Sequence, residues 1–253
     1  MENVTEKRLH LLDGIRGIVL ISMIAYHFSW NMVYLYGARW TWYRSNAAYV
    51  WQQSICWTFI LLSGFCWSMS RNHLKRGLMV FGGGALVTVV TLLVMPSNRV
   101  VFGVLTFIGS AMLLLMPLEK LLKKIPAEVG AGVSFALFLL LRNINRGYLG
   151  FEHVNLVALP DNWYRNLLTT YLGMPAADFY STDYFSLLPW FFLFVTGYYL
   201  YRIATKHGVL QWKILRKRLP FVDFLGKNSL LVYLLHQPVL YGTLGVFRYL
   251  GLI

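Results

Sequence analysis

Charge is what this 253-residue chain has least of: Asp, Glu, Lys and Arg together make up 13% of it, against about 25% in a soluble domain. Acidic residues are scarcest, ten against 23 Lys and Arg, for a net charge of +13. Cysteine is nearly missing. Cys56 and Cys66 fall in one apolar segment, which gives neither a metal-binding CxxC nor a disulfide framework and leaves them as small apolar residues. No two histidines stand at metal-ligand spacing beside a carboxylate on one helix, so nothing points to zinc. No GxSxG surrounds Ser63, which removes the support for a serine hydrolase; Ser63 and Gly64 read as a close helix-packing site. Repeats, low-complexity linkers and domain boundaries are absent too, and a single integral membrane domain over residues 1–253 is expected.

What the chain has in quantity is apolar surface: 57% hydrophobic residues and a mean hydropathy of +0.54. Apolar runs able to cross about 30 Å of hydrocarbon lie at about 9–36, 48–69, 77–95, 99–118, 127–142, 184–204 and 226–248. They predict an all-α polytopic bundle of about seven transmembrane helices. The fifth is the shortest, with about 16 residues between Pro126 and Arg142, and is tilted, short or re-entrant. Counting Lys and Arg in the connections puts fifteen with the amino terminus and the even-numbered loops, seven on the opposite side, and Arg16 inside the first segment. Basic segments resist translocation, so the amino terminus is expected in the cytoplasm. A signal peptide competes for residues 1–36, but Arg16 interrupts its apolar region and no small-residue cleavage pattern follows, so the segment is expected to be retained.

The positive charge does not argue for nucleic acid, because it is spread over short membrane-flanking loops. There it sets topology and attracts anionic lipid headgroups. A loop such as the one carrying Arg71, Lys75 and Arg76 also suits an anionic cytosolic ligand such as the phosphates of coenzyme A.

The first apolar segment carries Asp13, Arg16 and His27, and ionisable groups are costly inside a membrane. At about 100° per residue the three fall within about 60° of one another, so they form one stripe that must face protein or water. Asp13 is one turn from Arg16 and able to pair with it. Arg16 and His27 differ by about 20° but lie about 16 Å apart along the axis. A second intramembrane histidine, His236, stands two residues before Pro238, near the predicted bilayer middle. It either approaches His27 or lines a donor tunnel, or is a histidine satisfied by a neighbouring backbone carbonyl beside a kink. His10, His153 and His207 read as ordinary interfacial residues. The loop from Asn143 to Asp183, expected outside the cytoplasm, interleaves aromatics, among them Trp163 and Tyr164, with carboxylates and Arg165. That composition suits a sugar-like acceptor, and equally an interfacial aromatic belt. Asp178 and Asp183 straddle the start of the sixth segment as a base, as partners for acceptor hydroxyls or as solvated caps.

The run LHLLDGIRGIVLISMIAYHF from Leu9 to Phe28 resembles the opening signature of bacterial membrane proteins of the heparan-alpha-glucosaminide N-acetyltransferase-like family, itself similar to the wider transmembrane acyltransferases. The ten residues between Arg16 and His27 are similar to the arginine-to-histidine spacing of the wider group. DYFSLLPWFFLFVTGYYL from Asp183 and LGKNSLLVYLLHQPVL from Leu225 agree with it.

The resemblance implies transfer of an acyl group, usually acetyl, from cytosolic acyl-CoA to an amine or hydroxyl on an extracytoplasmic glycan, glycolipid or amino sugar, in a bacterial cytoplasmic membrane. His27 would be the catalytic histidine, with His236 and Asp183 as further candidates. An imidazole can remove the acceptor proton or attack the thioester itself. Arg16, a permanent cation oriented by Asp13, would hold a CoA phosphate or the donor's approach path, with Arg71, Lys75 and Arg76 as further phosphate contacts. Trp163, Tyr164 and Asp178 would meet the acceptor. Lysosome-type members use a histidine farther along in the following lumenal segment, yet here none occurs between His27 and His73. The chain also has fewer helices than the larger relatives, leaving a homo-oligomer or a reduced core open. A small transporter or glycolipid flippase with a proton-relay histidine is the rival reading. N- versus O-acylation, the acceptor and the acyl length are not read from the sequence.

Overall fold

A computed structural model describes residues 9–252; Lys7 and Arg8, which entered the charge count, lie outside them. Among the described residues the helices are α1 (His10–Tyr34), α2 (Asn46–Trp67), α3 (His73–Val94), α4 (Val104–Leu122), α5 (Ala127–Leu140), α6 (Leu167–Leu172), α7 (Leu187–Lys206), α8 (Pro220–Lys227) and α9 (Ser229–Tyr249). Six are long and apolar enough to cross a membrane: α1, α3, α4, α5 with its extension to Arg146, α7 and α9. The seventh expected segment, α2, matches them with 22 residues but carries Gln52, Gln53 and Ser54 in its first half, which dilutes its hydropathy. The nearly all-helical architecture agrees with the expected bundle.

Of three local features, the short fifth segment was expected and the other two were not. The short fifth segment is a helix of 14 residues, extended through turns to a 20-residue span ending at Arg146. The last apolar run, expected at 226–248, is α9, and a short helix, α8, precedes it. Pro220 opens α8, where a missing N–H costs nothing, and Asn228 separates α8 from α9 while its side chain donates to the Phe224 carbonyl at 2.9 Å. The loop between α5 and α7 contains an antiparallel hairpin, β1 (Tyr148–Phe151) with β2 (Val154–Ala158). Its turn residue Glu152 has a φ of 50°, and the buried Asn143 amide secures it by donating to the carbonyls of Glu152 and Val154.

The described residues divide into two compact units, one running through Phe59 and resuming at Gly208, the other Ile60–His207. In the first, α1 lies against α8 at backbone contact. A Cβ on Gly17 would sit 2.0 Å from the Val222 carbonyl oxygen, and one on Gly226 would sit 1.8 Å from that of Asp13. Small residues let helices approach this closely. Leu20, Met23 and Ile55 form a core flanked by Phe59, Val232 and Tyr233. Trp51 donates from its indole to the Ser22 hydroxyl at 2.8 Å.

The second unit uses the same device. Gly84 of α3 meets Thr106, Gly109 of α4 meets Phe81, and Gly64 and Gly197 press α2 against α7. The close-packing reading of Gly64 is thereby met. Ser134 and Thr196 join α5 to α7 by hydroxyls 2.9 Å apart. Arg202 donates to the carbonyls of Leu122, Lys123 and Ile125, acceptors that the end of α4 leaves over.

Replacing Gly226 with Ala should lower stability by about 1–3 kcal/mol, because the added methyl has only backbone to displace. Gly242→Ala, a position with nothing within 4 Å, should leave the unfolding midpoint of the detergent-solubilised protein unchanged. Equal midpoints for the two variants would refute the backbone-contact account.

Candidate functional site

All three members of the α1 stripe lie in the first unit, as do the glycine contacts that bring α8 to it. Near the start of α1, Asp13 is buried and Arg16 half-buried. Arg16 donates from Nη1 to Asp13 Oδ1 and to the Gly226 carbonyl, each at 3.4 Å. Pairing one turn apart follows from helix geometry; the third partner is reachable because Gly226 has no side chain to keep α8 away. His10 and Asp223 add another polar contact at this end, Nδ1 to Oδ2 at 3.5 Å, while Asp223 also accepts from the Leu219 N–H. His10 is thus tied to α8, a contact that reading it as an ordinary interfacial residue missed.

Three turns beyond Arg16, α1 presents His27 to α9. The His27 and His236 rings are 4.9 Å apart between centroids and inclined by 52°. His236 is buried, and its Nδ1 is hydrogen-bonded to the Tyr233 carbonyl three residues earlier. Both halves of the open reading of His236 therefore hold: it meets His27, and a nearby carbonyl satisfies one of its nitrogens. Its Nε2 is buried with no hydrogen-bond partner.

Gln237 Nε2 lies 3.1 Å from His27 Nδ1, and Gln237 Oε1 accepts from Asn31 Nδ2, also at 3.1 Å. Asn31 is fully buried. Neither amide was singled out in the sequence. Asn31 had a usable signal, since it stands four residues after His27 and so prolongs the same stripe by one turn. Gln237 had only its place between His236 and Pro238.

The remaining candidates belong to the second unit. Arg71, Lys75 and Arg76 are exposed around the start of α3, where Asn72 caps the helix by accepting from the Lys75 N–H at 2.9 Å. Asp183 is half-buried and accepts from the Val104 N–H at 3.2 Å, serving the first turn of α4. Asp178 is exposed. Tyr164 donates its hydroxyl to the Ile144 carbonyl at 2.6 Å, and burial raises this phenol above its ordinary range, which keeps it a donor. Trp163 lines a cavity of about 440 Å³ with Leu141, Ile144, Leu149, Leu159 and Leu188. That wall offers hydrocarbon contact and few hydrogen bonds. Arg142 lies 4.9 Å from the Trp190 ring and faces Glu152 at 3.4 Å. Among the described residues no cluster of three or more His, Cys, Asp or Glu is placed to hold a metal ion.

Substituting Asp13 by Ala should cost about 3 kcal/mol, since it leaves the Arg16 guanidinium without its carboxylate in a largely apolar setting. The double variant Asp13→Leu/Arg16→Met should recover most of that loss. Thermal unfolding of the single and double variants checks both, and additive losses would refute the pairing.

A family model described as heparan-alpha-glucosaminide N-acetyltransferase, catalytic, matches residues 8–238. Comparison with curated proteins and with solved structures gives no match.

Proposed function

The chain belongs to the heparan-alpha-glucosaminide N-acetyltransferase catalytic family, a membrane acetyltransferase in general terms, and from that premise we propose which groups it uses and on what. The donor is acetyl-CoA from the cytosol. The acceptor is an amine or hydroxyl of an extracytoplasmic glycan, glycolipid or amino sugar, and the membrane is the bacterial cytoplasmic one.

The observation that carries this reading is the meeting of His27 with His236, their ring centroids 4.9 Å apart, between two helices long and apolar enough to cross a membrane. Acyl transfer from a thioester needs a group that removes the acceptor's proton and a way to return it to the departing sulfur. In the balanced reaction the acceptor nitrogen or oxygen bonds to the acetyl carbonyl carbon, the carbon–sulfur bond breaks, and the proton lost by the acceptor ends on the CoA thiol. Imidazole is the side chain best suited to accept and release a proton near neutral pH. Arg16, held by Asp13 and the Gly226 carbonyl, remains a cation throughout and serves the donor's path. Within the second unit, taken by itself, exposed Arg71, Lys75 and Arg76 offer cations to CoA phosphates. Trp163, Tyr164, Asp178 and Asp183 remain the proposed acceptor-side residues, with Tyr164 and Asp183 acting through the backbone groups they already hold.

Purified protein in lipid nanodiscs, supplied with radiolabelled acetyl-CoA and a panel of amino sugars and glycolipids, should transfer label. His27→Ala should reduce turnover by at least about 100-fold, the scale for loss of an acid–base group or of an oxyanion donor. Acetyl-CoA should also raise the melting temperature, and dephospho-CoA analogues should do so less, because a ligand stabilises the state it binds. Undiminished turnover in His27→Ala would remove it from the chemistry, and no response to any acyl-CoA would remove the donor.

A further inference from the structure

Hydrogen-bond chemistry distinguishes the two histidines. A backbone carbonyl only accepts, so the Nδ1 of His236, bonded to the Tyr233 carbonyl, carries the hydrogen of the neutral ring. The lone pair is then on Nε2, the buried nitrogen without a partner.

His27 has the reverse setting. Asn31 donates to the oxygen of the Gln237 amide at 3.1 Å, and this commits the NH2 group of that amide to the His27 side. A donor 3.1 Å from Nδ1 makes that nitrogen the acceptor. The hydrogen of the neutral His27 ring is therefore on Nε2. The two rings thus present unlike nitrogens, an N–H on His27 and a lone pair on His236.

We propose that Gln237, oriented by Asn31, is a positioning residue that makes His27 the hydrogen-bond donor of the pair and leaves His236 as its base. The proposal rests on the acetyl-transfer reading for its chemistry. The acceptor nitrogen attacks the thioester carbonyl carbon, a carbon–nitrogen bond forms, and the carbonyl π pair moves onto oxygen, where the His27 Nε2–H stabilises it. A neutral imidazole suits that role. His236 Nε2 takes the proton from the attacking nitrogen. When the carbonyl re-forms, the carbon–sulfur bond breaks and the His236 imidazolium returns the proton to sulfur, which leaves as the CoA thiol. With Nδ1 occupied and Nε2 protonated, His27 has no lone pair for a thioester, so the acetyl group does not rest on it.

The chain has six histidines, few enough for solid-state ¹⁵N NMR of histidine-labelled protein in nanodiscs, with His27→Asn and His236→Asn used to assign signals. The wild type should show His27 protonated on Nε2 and His236 protonated on Nδ1. Gln237→Glu sets a carboxylate acceptor against Nδ1 and should move the His27 hydrogen there. Turnover in that variant should fall about 100-fold, the low end of the range for loss of an oxyanion donor, with the acetyl-CoA thermal shift retained. An Nδ1-protonated His27 in the wild type would overturn the proposal, as would a Gln237→Glu variant with unchanged tautomer and rate. The tautomers are read without turnover, so a wild type that transfers no acetyl group but shows this pattern defeats the acetyl-transfer reading and leaves the assignment of donor and lone pair standing.

Discussion

Within hydrocarbon a polar side chain has no water to fall back on, so each one that a helix carries inward must find its partner in the protein. The α1 stripe meets this demand at two depths. Toward its start an ion pair is completed by a backbone carbonyl of α8. Farther along, neutral groups take over: two amides, two imidazoles and one carbonyl. The Asp13–Arg16 pair is charged. The His27 cluster joins its members by hydrogen bonds and ring contact, and none of these partners is a carboxylate.

The first arrangement would not form if α1 and α8 stood at ordinary side-chain distance. Gly17 and Gly226 bring α1 and α8 to backbone contact, and only there does a carbonyl come within reach of Arg16. The second unit repeats the principle with Gly64, Gly84, Gly109 and Gly197. In an apolar solvent the hydrophobic effect adds little to helix pairing, and van der Waals contact between closely set backbones replaces it. Hydroxyl pairs such as Ser134 with Thr196 then add direction.

Helix positions and the stripe were legible because both follow from local rules, a length set by bilayer thickness and an angle set by helix pitch. The family was legible from three segments whose match extends across most of the chain. The helix α8 was hidden, because Pro220 to Lys227 is only eight residues long and falls in a basic connection, not in an apolar run. The hairpin of Tyr148–Ala158 was hidden for a different reason: its order depends on Asn143 and its neighbours, not on a strong strand pattern. Asn31 and Gln237 escaped notice because uncharged amides carry no obvious penalty in a sequence scan. Their meaning arises only when two helices 206 positions apart in the chain bring them together.

The hydrogen-bonding of the His27 cluster has an electrical consequence. A membrane potential does work on charge, about 2.3 kcal/mol per elementary charge moved across 100 mV. Two neutral imidazoles, one held by an amide and one by a carbonyl, would offer it nothing to act upon, and the Asp13–Arg16 pair sums to zero. On the proposed mechanism the resting site would therefore be indifferent to the potential, and the His236 imidazolium would be the one species to feel it.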